Sequence, residues 1–525
     1  MPVTLSYPGL YIEELPSSAH TITAAPTSIA VFIGYTHPYK TVVFGEAVRI
    51  FNFTDYERSF GGLYGNALVG NSVAYAVQQF FLNGGSDAYV IGIEPKLHSG
   101  SPVVTSALLA PIGDLASLRF TGLEPVDADH VLTVSVANPN AGGDVADLTI
   151  TYGSRAETFR HVALAPTGST GKPNPDYLDT RINGVSTLVT VTPVPPATSY
   201  GSFVLPAVPP APAALPGPVN LVMNPPPASG AFVTNVPDFA PVFAADSSLD
   251  KVEIFNLMVI PGVTDPGVVS QALAFCERKR AFLILDPPVA DTADGTPKIE
   301  DDVDGFPKST NGALYFPYLT SVDALTGDPI ALPPSGYVAG IYARTDTNRG
   351  VWKAPAGLET TLLNATGVVA SGRLSDSRAG VLNPLGVNCL RTFAGVGTVV
   401  FGARTLVTSN PAFEQWRYVP VRRTALFIEQ TLLGNLGWAV FEPNDEPLWI
   451  ALRTSVEAFM LSLFHQGAFQ GSTPSQAFQV TCDASTTTQT DIDNGVVNLL
   501  VAFRPLKPAE FVVIKIAQLA GQVQS

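Results

Sequence analysis

Residues 27–35, TSIAVFIGY, are a continuous apolar run of strand length and predict a buried β-strand. Val69, Val73, Ala76, Val77 and Phe80 then recur on one face of a helix over 66–83, which the Gly84-Gly85 pair ends. DAYVIGI (87–93) returns to a strand pattern. The same order reappears as IFNLMVIPG (254–262), a helix over 266–280 with Val269, Ala272, Leu273 and Cys276 on one face, and FLILDPP (282–288). Apolar strands alternating with amphipathic helices predict parallel βαβ units. Residues 21–95 plus 251–375 are therefore expected to form one middle α/β domain, split in sequence.

The split is filled by 96–250, which has a different rhythm. VLTVSV (131–136), DLTITYG (147–153) and STLVTVTP (186–193) alternate like short half-buried strands, and a proline-dense stretch follows them. No charged residue falls between Arg181 and Asp238, so part of that stretch is expected to pack on protein. The region reads as an inserted β-rich, proline-rich outer domain.

In the unit 376–507, Arg423–Leu433 and Leu448–His465 read as helices. Leu448, Leu452, Val456, Phe459, Met460 and Leu463 form the stripe of the second, with Asp445 as its cap, Pro447 in its first turn and Gly467 at its end. AFQVTCD (477–483), GVVNLLVAF (495–503) and EFVVIKIAQ (510–518) read as strands. Both ends of the chain look like arms. In 1–20, Pro2, Pro8 and Pro16 punctuate Leu10-Tyr11-Ile12, and in 508–525 the strand is apolar on both faces. A short apolar strand without a local partner is expected to be donated to a sheet edge, with Leu10, Tyr11, Ile12, Phe511, Val513 and Ile514 as contact residues. Pro8, Pro505 and Pro508 are the candidate hinges. The fold class is mixed α/β (α+β) and multidomain.

Charged residues make up 14% of the chain, against about 25% in ordinary soluble domains, which suits a surface packed against copies of itself. The net charge of −15 argues against a nucleic-acid partner. Cys276, Cys389 and Cys482 are scattered and odd in number, so they read as buried apolar residues in a reducing compartment. The N-terminus lacks a basic region and carries Glu13-Glu14, so a signal peptide is not expected, and any exit from the cell is expected to need lysis or another leaderless route. No membrane span is expected either, because no stretch of about 18 apolar residues is free of charges and breakers.

Catalytic signatures are missing: there is no HExxH, GxSxG or Walker loop. Gly395-Val396-Gly397 lacks a third glycine and reads as a close strand approach. DTADGTPKIEDDVDG (291–305) and TDIDNG (490–495) are acidic but do not have calcium-loop spacing; the first reads as a solvated loop and the second as a turn. His465 reads as a favourable charge at a helix C-terminus. No catalytic residue, metal or cofactor is expected, and the chain reads as a non-enzyme.

Several segments in shared order resemble contractile tail sheath proteins. They include YPGLYIEELPSSAHTITAAPTSIAVFIGYT (7–36), FFLNGGSDAYVIGI (80–93), NGALYFPYL (311–319) and PPSGYVAGIYARTDTNRGVWKAPAG (333–357). The C-terminal set is densest: LNPLGVNCLR (382–391), WRYVPVRRTALFIEQTL (416–432), WAVFEPNDEPLW (438–449), SVEAFMLSLFHQGAFQG (455–471), TTTQTDIDNG (486–495) and PLKPAEFVVIKI (505–516). The resemblance covers 1–95 and 251–525, and it implies that 376–507 is the sheath core. It implies a structural subunit that stacks as hexameric rings around an inner tube, exchanges terminal strands with its neighbours, meets baseplate and cap proteins, and contracts to drive the tube through a membrane. Nucleic acid and direct membrane insertion are not implied. Arg453, Glu457 and His465, on the polar side of the strong helix, are the candidate tube-facing residues. Phage tail, tailocin and extracellular injection system are alternative settings, and the latter two are favoured. A secreted or surface β-rich adhesin is the rival reading, supported by the low charge and the proline-rich insert.

Overall fold

The computed structural model describes residues 20–65, 70–95, 107–109, 118–124, 132–193, 200, 219–222, 236–288, 299–369 and 374–515. The chain opens with β1 (Ala30–Tyr35), β2 (Ala47–Ile50), α1 (Phe53–Phe60), α2 (Ser72–Leu82) and β3 (Ala88–Ile93). The inserted region continues with β4 (Ala107–Leu109), β5 (Leu118–Gly122), β6 (Leu132–Ala137), β7 (Val145–Tyr152), β8 (Arg155–Ala163), α3 (Leu178–Arg181), β9 (Val189–Pro193) and β10 (Val219–Val222). The chain then runs through α4 (Val236–Phe243), β11 (Leu257–Val259), α5 (Pro266–Lys279), β12 (Phe282–Leu285), α6 (Ile299–Asp302), β13 (Gly312–Phe316), β14 (Leu319–Val322), β15 (Pro329–Leu332), α7 (Ser335–Arg349), β16 (Gly367–Val368), α8 (Asp376–Leu382), β17 (Val387–Phe393) and β18 (Gly397–Val400). It closes with α9 (Val419–Asn435), α10 (Glu446–His465), α11 (Pro474–Ala477), β19 (Phe478–Thr481), α12 (Gln489–Asp493) and β20 (Leu500–Phe503).

One sheet organises the centre, in the order β18-β17-β13-β12-β11-β1-β3-β2. Its six inner strands run parallel, and an antiparallel strand closes each edge. β1 lies between β3 and β11, so the two halves of the split sequence share one sheet. β1, β11 and β12 are buried throughout, as strands covered on both faces must be. The sheet does not stop at residue 375: β17 and β18 extend it to Val400, and the sequence boundary at 376 cuts through it. Gly395 and Val396 lie in the hairpin turn between these two strands and Gly397 opens β18, where the sequence predicted a close strand approach.

α4 and α5 cover one face of the sheet, and α2 and α7 cover the other. Asp265 caps α5 by accepting from Gly267 N and Val268 N, and Pro266 opens it. The cationic cluster 278–280 pairs with acids: Arg278 and Lys279 with Asp250, and Arg280 with Glu429. α2 and α7 approach so closely that a Cβ on Gly336 would lie 2.5 Å from the Ala76 backbone, and one on Gly340 would lie 2.8 Å from Phe80 O. Backbone cannot yield as a side-chain tip can. Gly336→Val is therefore expected to cost at least 1–3 kcal/mol through overpacking, read as a lower denaturant midpoint of the middle domain.

Among the described residues, 96–222 are all β apart from α3, with sheets β4-β5-β9 and β10-β6-β7-β8, whereas α4, which falls inside the 96–250 expected as the insert, packs on the large sheet. Its strands alternate buried and half-buried positions around Phe120, Val134, Leu148, Ile150 and Val191. It meets the large sheet's domain through Glu124, which is paired to Arg155 at 2.7 Å and accepts from Gly65 N at 2.8 Å. Lys40 Nζ also donates to Thr187 O.

In the C-terminal unit α10 packs its stripe of Leu452, Val456, Phe459, Met460 and Leu463 against α9 and the β19-β20 hairpin. Asp445 accepts from Glu446 N, and Gly467, at positive φ, ends the helix through Gly467 N→Phe464 O and Ala468 N→Leu463 O. Among the described residues α10 is the one helix long and apolar enough to cross a membrane by length and composition. Here it is a core helix interrupted by Arg453 and Glu457. TDIDNG lies mainly in α12, a short helix with a Thr488/Asp491 capping box, where the sequence predicted a turn. Residues 299–305 of the other acidic segment form a short helical stretch instead of an open loop.

Candidate assembly interface

The two ends of the described chain converge on the C-terminal unit. At the N-terminal side, His20 stacks on Trp438 with ring centroids 3.9 Å apart. Residues 23–27 then run along α9 as a backbone tied by side chains. Asn435 accepts from Thr23 N and donates back to Thr23 O, Thr431 Oγ1 accepts from Ala25 N, and Arg423 donates to Thr27 O. Leu10, Tyr11 and Ile12 lie outside the described residues.

At the other end, β20 pairs with β19 in a two-stranded hairpin, and Pro505 bridges to Phe469. Such a hairpin is marginal alone and gains from added strands. Each of its strands has one paired neighbour among the described residues, so each presents an open edge. After Pro505 the chain is fixed again at Glu510, whose carboxylate takes Arg404 Nε at 2.9 Å and Nη2 at 2.5 Å. Phe511, Val512, Val513 and Ile514 then stand 75, 81, 77 and 80% exposed. The strand expected over 510–518 is not formed over 511–515 in the single chain, because no sheet edge accompanies it there. Four consecutive exposed apolar residues mark a surface suited to contact with a partner.

The candidate tube-facing residues differ in exposure. Glu457 and His465 are exposed on the outer side of α10, beside Ile450 and Leu461. Arg453 is half-buried and lies near Asp483, whose carboxyl is held below its usual range, first by the Ser485 hydroxyl and backbone and further by Arg453. The neighbouring loop carries Val440 and a fully exposed Phe441 at φ 71, an outlying backbone for a bulky residue.

Cys276, Cys389 and Cys482 are free and buried, and burial pushes the Cys389 thiol up to about 11. Among the described residues no three or more of His, Cys, Asp and Glu gather as a metal site. Buried ion pairs that sequence reasoning missed carry the joints. Arg404–Glu510 fixes the C-terminal segment, and Arg423–Asp346 ties α9 to α7. The one signal available in the sequence is Arg422-Arg423 inside an apolar helix pattern, and a pair of that kind reads equally well as a helix-end charge.

Two family models match the chain: the phage tail sheath protein central domain over residues 244–406 and the phage tail sheath C-terminal domain over 412–518. A putative prophage major tail sheath protein of Pseudomonas aeruginosa is 26% identical over 269 residues, 50% of this chain and 65% of that protein. The tail sheath protein of Vibrio phage KVP40 is 24% identical over 183 residues, 35% of this chain and 26% of that protein. The chain thus spans less than two thirds of either relative. The fold is similar to that of the sheath complex of the extracellular contractile injection system PVC in its contracted state, with TM-score 0.59, 21% identity, and coverage of 98% of this chain and 99% of that one.

Proposed function

The chain belongs to the contractile tail sheath family, and on that premise we propose that it is the self-assembling sheath subunit of a phage-tail-like injection machine. Subunits stack as hexameric rings around an inner tube, exchange terminal strands, and re-pack on triggering so that the shortened sheath drives the tube through a target membrane. The observation that carries this reading is the exposed run Phe511–Ile514, which leaves the subunit beyond a hairpin with open edges. Pairing with a second copy satisfies the backbone of both and buries the run, a gross apolar gain of about 1.5–2 kcal/mol per side chain, or roughly 6–8 kcal/mol per joint before the cost of association. Joints of that strength hold while rigid bodies between them swing, so contraction needs no nucleotide; its work comes from interfaces formed in the shortened state. The outer side of α10, with Glu457 and His465, is the proposed tube-facing surface, and the inserted β region is proposed to lie at the periphery. Baseplate and cap proteins are the proposed partners at the two ends.

Deleting 511–525 should leave a folded subunit, with native circular dichroism and denaturation midpoint, that forms no long sheaths in negative-stain microscopy. Striated cylinders of ordinary length from the truncated chain would sink the reading.

A further inference from the structure

The segment Leu506–Phe511 forms one wall of a cavity of about 890 Å3, whose other walls include Trp352, Lys353, Arg391 and Phe401. It is held at its two ends. Upstream, Arg504 N donates to Ala477 O, Gln470 N donates to Arg504 O, and Pro505 bridges to Phe469. Downstream the fixed point is the Glu510 carboxylate on Arg404. Between them, Lys507–Ala509 make no backbone hydrogen bond among the described residues. Pro505 and Pro508 fix two of the backbone dihedrals, so one strong contact at Glu510 is enough to orient the run from Phe511 onward.

Arg404 is mounted for this task. Its backbone N donates to Asn388 Oδ1 at 2.7 Å, and its Nη1 donates to Asn383 O at 3.0 Å. Asn388 in turn donates to Leu314 O and Arg404 O, so the guanidinium stands on the central sheet. The pair is largely buried, with 10% and 15% of the side chains exposed, and the Tyr418 hydroxyl lies 3.5 Å from the same carboxylate. A two-oxygen guanidinium–carboxylate contact is strong and directional.

We propose that Arg404–Glu510 is the latch that fixes where, and in which direction, the C-terminal segment leaves the subunit, so that delivery of Phe511–Ile514 to a second copy depends on it. The proposal rests on the reading of that segment as a donated strand.

The test places nitroxides at Ser462→Cys, on the exposed side of α10, and at Ala509→Cys, beside the latch; the three native cysteines are buried. Pulsed EPR on the unassembled full-length chain should give one narrow distance distribution, at least twofold broader in Glu510→Gln. Arg404→Gln/Glu510→Gln leaves no unpaired buried charge to unfold the subunit, and the same broadening is expected of it. Sheath elongation should slow at least tenfold in both variants. An unchanged distribution would overturn the latch whatever the arm does. Broadening with elongation at the native rate would also overturn it, provided that deletion of 511–525 still stops assembly. Native assembly by that deletion would instead remove the strand-donation reading.

Discussion

Replacing Arg423 by methionine is expected to cost about 3–5 kcal/mol of stability, and replacing Arg423 and Asp346 together by methionine and leucine is expected to restore most of it. The guanidinium donates through Nη1 and Nη2 to the two oxygens of Asp346 at 2.9 and 2.6 Å, and through Nη2 to Thr27 O at 2.9 Å. It also lies 4.6 Å from the centroid of the Tyr342 ring. Only 3% and 2% of the two side chains are exposed. Burial alone would lower the Arg423 pKa, but Asp346 more than offsets it, so the guanidinium stays charged inside the protein. Removing one partner leaves the other charge buried without its counter-ion, whereas removing both exchanges an ion pair for apolar packing. Denaturant titration of the two variants separates these cases. A double variant as weak as Arg423→Met would show that the loss comes from packing or from the Thr27 contact. Because Thr27 begins the approach to β1, the single variant should also loosen residues 20–27 on α9, seen as faster amide exchange there.

The periodic parts of the fold were legible because one physical signal controlled them. α5 and α10 were placed within about two residues, since each has an apolar stripe, a capping aspartate and a proline in its first turn. β1, β3 and β12 were legible as short apolar runs between breakers. α9 begins at Val419, four residues before the expected start, because Arg422 and Arg423 hid its first turn as polar positions when one of them is a buried ion-pair member. The apolar pattern of 511–514 was visible, but its conformation was not, since a strand is a property of two partners and the second is not in this chain's fold. The inner joints were not legible at all. Arg404 and Glu510 lie 106 residues apart, and nothing local marks either as half of a pair. Nothing around Gly336 and Gly340 in the sequence shows that they meet α2.

Acid should destabilise this chain through His37, and in the native sequence Asp286 should mask the effect between about pH 6 and pH 4. His37 is fully buried, its Nδ1 accepts from Tyr39 N at 3.2 Å, and its Nε2 finds no partner among the described residues. Burial first, then Lys40 and Arg155, lowers its pKa from 6.5 to about 3. Its surroundings also include the Tyr39 and Tyr64 rings, and Glu124 is paired with Arg155. A base held neutral in the fold and charged in the unfolded chain contributes stability above pH 6.5 that is lost as pH falls towards 3, at about 1.4 kcal/mol per pH unit. Asp286 has the opposite sign. Burial raises its pKa from 3.8 to about 6 against the opposing hydrogen bonds from Ser335 and Gly262, so its contribution is present below pH 3.8 and lost as pH rises through 6. The two slopes nearly cancel across that window, so this pair of groups contributes little net pH dependence there in the native chain. His37→Phe removes one of them. Relative to the native chain, the variant should gain on the order of 2 kcal/mol between pH 6.5 and pH 5, and its own stability should rise on acidification from pH 6 to pH 4. Urea midpoints at half-unit pH intervals give both numbers. A His37→Phe difference that stays constant with pH would mean that the imidazole reaches solvent or a counter-ion on protonation, and the buried neutral base would be the wrong description of this joint.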